Sequence, residues 1–123
     1  MIGYVTIGTN DLARAVSFYD AVLSELGASR LYATDRMAAW GTSKSAPALM
    51  VTLPYDENTA TVGNGVMVAL AAKNREAVDA VYNKAVELGA KDEGPLGPRG
   101  ASGFYAGYFR DLDGNKLNVF TSG

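Results

Sequence analysis

Apolar positions along the chain recur first with a period of two, then at spacings of three and four, and the succession then restarts. Residues 2–8 read as a strand, rich in the β-formers Tyr4, Val5, Thr6 and Ile7. Asn10 and Asp11 are capping candidates for the helix that follows, because their side-chain oxygens accept its free N–H groups. That helix is predicted over 12–26. Ala15, Val16, Tyr19, Val22, Leu23 and Leu26 form one apolar stripe, and Gly27 stops it. Short strands are predicted over 29–33, 37–41 and 48–53, with Asp35 and residues 42–47 as turns. Residues 54–64 read as a polar linker. The second round predicts a strand over 65–71, then Asn74 as cap of a helix over 75–88. Val78, Val81, Tyr82, Ala85 and Val86 share its apolar face, and Gly89 ends it. A short strand over 91–93 leads into a Gly/Pro-rich loop. Strands over 104–110 and 116–121 are joined by a turn containing Asp113-Gly114, a hairpin signal.

The repetition is also literal. Glu25-Leu26-Gly27-Ala28 returns as Glu87-Leu88-Gly89-Ala90, offset by 62 residues. The strand and early helix align better at 63, pairing Tyr4 with Met67, Phe18 with Val81 and Tyr19 with Tyr82. A one-residue slip in the helix reconciles the two offsets. The chain therefore reads as one domain over 1–123, with modules over 1–54 and 65–123 and a linker over 55–64. Each module is too small to bury its sheet face alone, so the modules are expected to pack together or with another chain.

Composition then narrows the chemistry. The 123 residues include no His and no Cys. Ser-His-Asp triads, thiol nucleophiles, imidazole or thiolate zinc sites and disulfides are excluded. A metal could be held only by carboxylates, carbonyls, amides or Tyr, which favours Mg or Ca over Zn. The formal net charge is −2 with scattered basic residues, so no nucleic-acid footprint is present. The longest apolar run, 66–72, is too short to span a membrane, and the first seven residues lack a positively charged signal region. A cytoplasmic protein, with neither nucleic acid nor membrane as partner, is the expectation.

The doubled strand–helix–three-strand order now meets its most specific letters. The start Ile2-Gly3-Tyr4-Val5-Thr6-Ile7, the pair Phe18-Tyr19 and the ending Tyr108-Phe109-Arg110-Asp111-Leu112-Asp113-Gly114-Asn115-Lys116-Leu117 resemble the vicinal oxygen chelate superfamily. That group holds glyoxalases, bleomycin-resistance proteins, fosfomycin-resistance enzymes and extradiol dioxygenases. The resemblance spans essentially the whole chain, with Leu112 standing where a Pro is usual. It implies an α+β fold: two tandem βαβββ modules forming a curled, mostly antiparallel, cup-shaped sheet with helices outside. A homodimer around a small-molecule site is implied with it.

In the metal-dependent members, ligands come from the first and last strand of each module. By resemblance these positions fall at Tyr4, Met67 and Asn118, with a looser assignment near Met50. Two thioethers, a phenol and an amide do not make a divalent-metal site, so no metal and no cofactor is expected. If Tyr4 points into the cup, alternation carries Ile2 and Thr6 with it, and Met67 with Ala69. Asn118 and Phe120 share a face, as do Phe104, Ala106, Tyr108 and Arg110. Resemblance to the fosfomycin enzymes turns the Tyr108 face inward. The expected pocket is aromatic and Met-rich and suits an unidentified small organic molecule. The competing reading is that the same side chains simply fill the sheet interior. Trp40 is either a core plug or a stacking wall for the ligand.

Three functions are consistent with this pattern: a metal-independent small-molecule binder, a glyoxalase-like lyase or isomerase, and a structural dimer. In the enzyme reading Tyr108 or Tyr4 is the acid and Asp111 or Glu57 the base. The loop over 93–103 is either a plain connection or a lid that brings Arg99 to an anionic ligand. Asp111, Asp113 and Asn115 lack the spacing of a calcium loop and read as a hairpin turn.

Overall fold

In the computed structural model, which describes residues 1–123, the first helix begins where the capping chemistry puts it. Asp11 is the N-cap of α1 (Leu12–Ser24), and its carboxylate accepts the Arg14 N–H at 3.1 Å. Asn10, the other candidate, is used elsewhere. Its side-chain amide exchanges two hydrogen bonds with the backbone of Ala60, at 2.7 and 3.2 Å. The helix stops two residues earlier than the stripe suggested, and Gly27 follows at φ 76°. That left-handed turn is open to glycine without strain.

The chain divides into two units, Met1–Val62 and Gly63–Gly123. In unit 1, β1 (Tyr4–Gly8), β2 (Ser29–Ala33), β3 (Met37–Gly41) and β4 (Ala48–Thr52) form a sheet in the order β1-β4-β3-β2. β1 runs parallel to β4, and the other pairings are antiparallel. The helix covers one face of this sheet. Ala15, Phe18, Tyr19, Val22 and Leu23 are buried, as are Ile7, Ala38, Trp40, Leu49 and Val51. Phe18 and Tyr19 meet edge to face, and Tyr19 tilts against Trp40 with ring centres 5.6 Å apart. Burying each such side chain stabilises the fold by about 1.5–3 kcal/mol before conformational entropy is subtracted.

Unit 2 repeats this plan. β5 (Val68–Ala71), β6 (Lys91–Pro98), β7 (Tyr105–Arg110) and β8 (Lys116–Thr121) are ordered β5-β8-β7-β6, with β5 parallel to β8. Asn74 caps α2 (Arg75–Glu87) by accepting the Ala77 N–H at 2.9 Å. Val78, Val81 and Ala85 are buried with Phe109, Leu117 and Val119. Val86 and Leu88 remain about 40% exposed, so the buried stripe is narrower than expected. The two modules make the α+β, doubled βαβββ architecture of the sequence reading.

Two strand boundaries differ from expectation by three residues or more. The strand expected from residue 65 starts only at Val68, because residues 63–66 are taken up in a turn closed by Val66 N–H to Gly63 O, with Gly65 at φ 95°. Met67 therefore lies just outside β5. The short strand expected over 91–93 instead runs on to Pro98 and absorbs half of the Gly/Pro-rich segment. β6 is an edge strand, where Pro95 and Pro98 need no partner for a missing N–H. Its register shifts between Asp92 and Gly94 and between Gly94 and Gly97.

Candidate functional site

Each sheet has one face against its helix and one face away from it. In unit 1 the Trp40 indole donates to Asp20 Oδ1 of α1 at 2.8 Å, which marks the helix side. Met50 lies beside Thr6 on β1 and Ala39 on β3, so alternation puts Tyr4, Thr6 and Met50 on the opposite, open face. Tyr32 and Met37 join them. The Tyr32 hydroxyl lies 3.9 Å from Met37 Sδ and 4.0 Å from Met50 Sδ. Trp40 does not share this face. Of its two readings, the core plug describes its position: it is 1% exposed and fastened to the helix.

Tyr32 escaped the sequence reading for a definable reason. Simple alternation gives Arg30 and Tyr32 the same side. A register shift falls between them: Arg30 pairs with Trp40 and Tyr32 with Ala39. Arg30 therefore reaches Asp20 on the helix side, whereas Tyr32 turns to the open face.

The open face of unit 2 carries more directional chemistry. Asn118 sits between Ala69 of β5 and Tyr108 of β7. Its side-chain Oδ1 is buried and has no hydrogen-bond partner, and the residue is 2% exposed. Such a carbonyl costs about 1–3 kcal/mol unless something donates to it. Over the Tyr108 ring stand two cations, the Arg99 guanidinium at 5.4 Å and the Lys116 ammonium at 5.8 Å. Arg99 is held in place by donating to the carbonyls of Gly97 at 2.7 Å and Pro95 at 2.6 Å. A side chain at Gly94 would press on both Tyr108 and Arg99, at 3.2 and 3.4 Å from its Cβ. Beside this group Phe120 stacks on Phe104, with ring centres 5.4 Å apart and planes 16° from parallel.

Arg110 shares the Tyr108 strand face but is already engaged. It pairs with Glu93 at 2.9 Å and donates to Gly114 O at 3.0 Å. The sequence-level site residues thus fall into two groups. Phe104, Tyr108, Arg110, Asn118 and Phe120 belong to unit 2, joined by Arg99 and by Lys116, which the sequence reading passed over. Lys116 stands two residues before Asn118 on the same strand, so alternation was the signal for it. Tyr4, Thr6 and Met50 gather in unit 1.

Of the two proposed bases, one is committed to other partners. Asp111 is spent on the β7–β8 turn, where Oδ1 accepts the N–H groups of Asp113 and Asn115 and Oδ2 accepts the Asn115 amide. Glu57 lies in unit 1, in the segment after β4. The donor set likewise does not fit a divalent metal. Tyr4 and Met50 belong to unit 1, Met67 and Asn118 to unit 2, and together they offer no carboxylate. No three His, Cys, Asp or Glu side chains gather to hold an ion anywhere in the chain. No helix is long and apolar enough to cross a membrane.

Comparison with known proteins places this geometry. The family model for the glyoxalase/bleomycin resistance protein/dioxygenase superfamily matches residues 1–119. Among solved structures, a glyoxalase/bleomycin resistance protein from Albidiferax ferrireducens T118 is 32% identical, with a TM-score of 0.91 over 100% of this chain and 99% of that one. A lactoylglutathione lyase from Agrobacterium tumefaciens shares the fold at 19% identity and TM-score 0.71, covering 98% of this chain and 92% of that one. A genomically encoded fosfomycin resistance protein from Listeria monocytogenes does so at 15% identity and TM-score 0.74, over 100% and 93%. Among curated proteins none matches the chain. With the family model covering nearly its whole length and the doubled module built as that family builds it, the chain belongs to the glyoxalase/bleomycin resistance protein/dioxygenase superfamily.

Proposed function

We propose that this chain is a small-molecule binder that works without a metal, and that its ligand lies on the open face of unit 2. The observation that carries this reading is the buried, unpartnered Oδ1 of Asn118, directly across from Tyr108 and its two cations. The fold pays for a desolvated carbonyl there, which is reasonable where a ligand N–H or O–H completes it. Arg99 and Lys116 add positive charge, and the Phe104–Phe120 stack adds an aromatic platform. The ligand class this favours is a planar or amphipathic organic anion with a hydrogen-bond donor. The absence of a carboxylate free to act beside Tyr108 is why binding is preferred to a lyase or isomerase reaction.

Homodimer formation belongs to the same proposal. β1 and β5 are edge strands. Tyr4 and Val5 on the first with Ile2 leading into it, and Val66 and Met67 leading into the second, are exposed. Unpaired edges carrying apolar side chains are commonly covered by a second chain. Sedimentation of the purified protein tests this, and a monomer at high micromolar concentration removes it.

The binding proposal is tested by thermal shift and calorimetry against a panel of aromatic carboxylates and phosphonates, before and after chelator treatment. A stabilisation that survives chelation and is lost in Asn118→Ala and weakened in Tyr108→Phe is expected. A panel without any response, or a response abolished by chelation, overturns it.

A further inference from the structure

Unit 1 carries a concavity that the site described above does not use. It lies beyond the carboxyl ends of the parallel strands β1 and β4 and is lined by the residues that follow them. Thr9 and Asn10 come from one side, Leu53 and Pro54 from the other, with Arg36 and the segment holding Glu57, Asn58 and Thr59. Its volume is about 330 Å³, within the range of small-ligand sites. The carboxyl end of adjacent parallel strands is also where open α/β sheets place their ligand crevices.

The walls of this cleft are tied down on both sides. The Pro54 carbonyl accepts two hydrogen bonds, one from Arg36 Nη2 at 2.8 Å and one from the Glu57 N–H at 3.0 Å. One oxygen therefore anchors the cation and the turn that presents the anion. At the far end the Asn10 side chain fastens Ala60 through both of its amide atoms. Glu57 sits in the left-handed region at φ 64°, the one residue other than glycine to do so. Residues 54–60, part of the segment read from sequence as a linker, are fastened along the rim of this cleft.

The two charges are what give this cleft a chemistry. Arg36 and Glu57 line the same space, and no ion pair joins them. Arg36 uses one N–H on Pro54, which leaves the rest of its fork for a carboxylate. A guanidinium and a carboxylate lining one small cleft are complementary to a molecule that carries the two opposite charges. We infer that this cleft binds a small zwitterion of the α-amino acid type, its carboxylate on Arg36 and its ammonium on Glu57, with Asn58 and Thr59 available for side-chain contacts. This inference does not rest on the function proposed for the unit 2 face.

The test uses the full chain, with glycine, alanine and glutamine as probes beside their N-acetyl and C-amide derivatives. Heteronuclear NMR titration reads the amides of Asn58, Thr59 and Ala60, and calorimetry reads affinity. Free amino acids are expected to move those amides saturably, and both blocked forms to bind about tenfold or more weakly, since each loses one charge pair. Glu57→Gln, at an exposed position, should keep the fold and lose the preference for the free ammonium. Arg36→Lys should keep a charge but lose the fork, again weakening binding. Asn118→Ala should leave the titration unchanged. No saturable shift with any free amino acid, equal binding of free and blocked forms, or unchanged affinity in Glu57→Gln each overturns the inference.

Discussion

The indole N–H of Trp40 donates to Asp20 Oδ1 at 2.8 Å and fastens the third strand of unit 1 to the buried side of its helix. The same carboxylate pairs with Arg30, and this pairing first, with the Trp40 bond in support, holds Asp20 below its ordinary value of 3.8 despite partial desolvation. A carboxylate depressed in the fold stabilises it above its unfolded pKa. That contribution is lost as pH falls below 3.8 toward the folded value. Asp20→Asn keeps an acceptor for Trp40 but removes the titration. Urea midpoints followed across the acid range should fall less steeply in the variant than in the parent. The effect is modest, because the Asp20 side chain is 40% exposed and screened by solvent. Identical acid limbs in the two proteins would remove Asp20 from the account.

Trp40 also sets an optical expectation. It is the only tryptophan and faces the helix, so a ligand on an open sheet face does not touch it. Ligands that stabilise the protein through Asn118 and Tyr108 should leave Trp40 emission nearly unchanged and alter tyrosine signals instead. Strong quenching of Trp40 without unfolding would contradict this placement.

Asn118 poses stability against binding. Its buried Oδ1 lacks a partner, so replacing the amide by an apolar side chain of similar volume removes a desolvation cost. Asn118→Leu is expected to raise the unliganded stability by about 1 kcal/mol and to abolish ligand-induced stabilisation. Denaturant midpoints with and without ligand read both effects. A destabilised variant that still binds would show that Asn118 serves packing alone.

The fold was legible because its signals were local and doubled. Asp11 and Asn74 cap where short polar side chains precede apolar stripes, and Gly27 and Gly89 close both helices. The hairpin at Asp111–Asn115 followed from its Asp-Gly pair, although the carboxylate of Asp111 was invisible as its organiser. The site was legible only in part. Alternation put Asn118 and Phe120 on one face, and the family resemblance turned the Tyr108 face toward the same site. Alternation failed at Tyr32, where a bulge reverses the parity, and for Arg99, which comes from an irregular edge and is positioned by backbone carbonyls. Trp40 could not be assigned to a face, because Met37 to Gly41 contains too many small residues to show a polar side. The cleft at Arg36 and Glu57 depends on a carbonyl at Pro54 that no residue pattern announces.

Gly107 tests the packing of unit 2. A Cβ there would lie 2.7 Å from Tyr82 Cδ2 and 2.9 Å from Leu96 Cδ2, closer than real contacts permit. The glycine lets the helix-borne Tyr82 lie directly on β7. Gly107→Ala should therefore destabilise unit 2 by about 1–3 kcal/mol through overpacking. Chemical denaturation gives the magnitude, and a stability equal to the parent would mean that Tyr82 and Leu96 shift without cost.

Tyr105 supplies the alkaline counterpart of Asp20. Its hydroxyl donates to Asp79 Oδ1 at 2.6 Å, and this bond, followed by desolvation and the nearby negative charge, raises the phenol above its ordinary value of 10.0. The Arg75 guanidinium, 4.7 Å over the ring, opposes the shift without reversing it. The neutral phenol is thus favoured by folding. Its contribution is complete below pH 10.0 and is lost as pH rises through the raised value. Tyr105→Phe should cost about 1 kcal/mol near neutral pH, where the bond to Asp79 disappears. The variant and the parent should then converge as the medium becomes strongly alkaline. Urea midpoints paired with tyrosinate absorbance across that range check both halves. A constant gap between the two proteins at every pH would show that Tyr105 contributes ring packing rather than its hydrogen bond to Asp79.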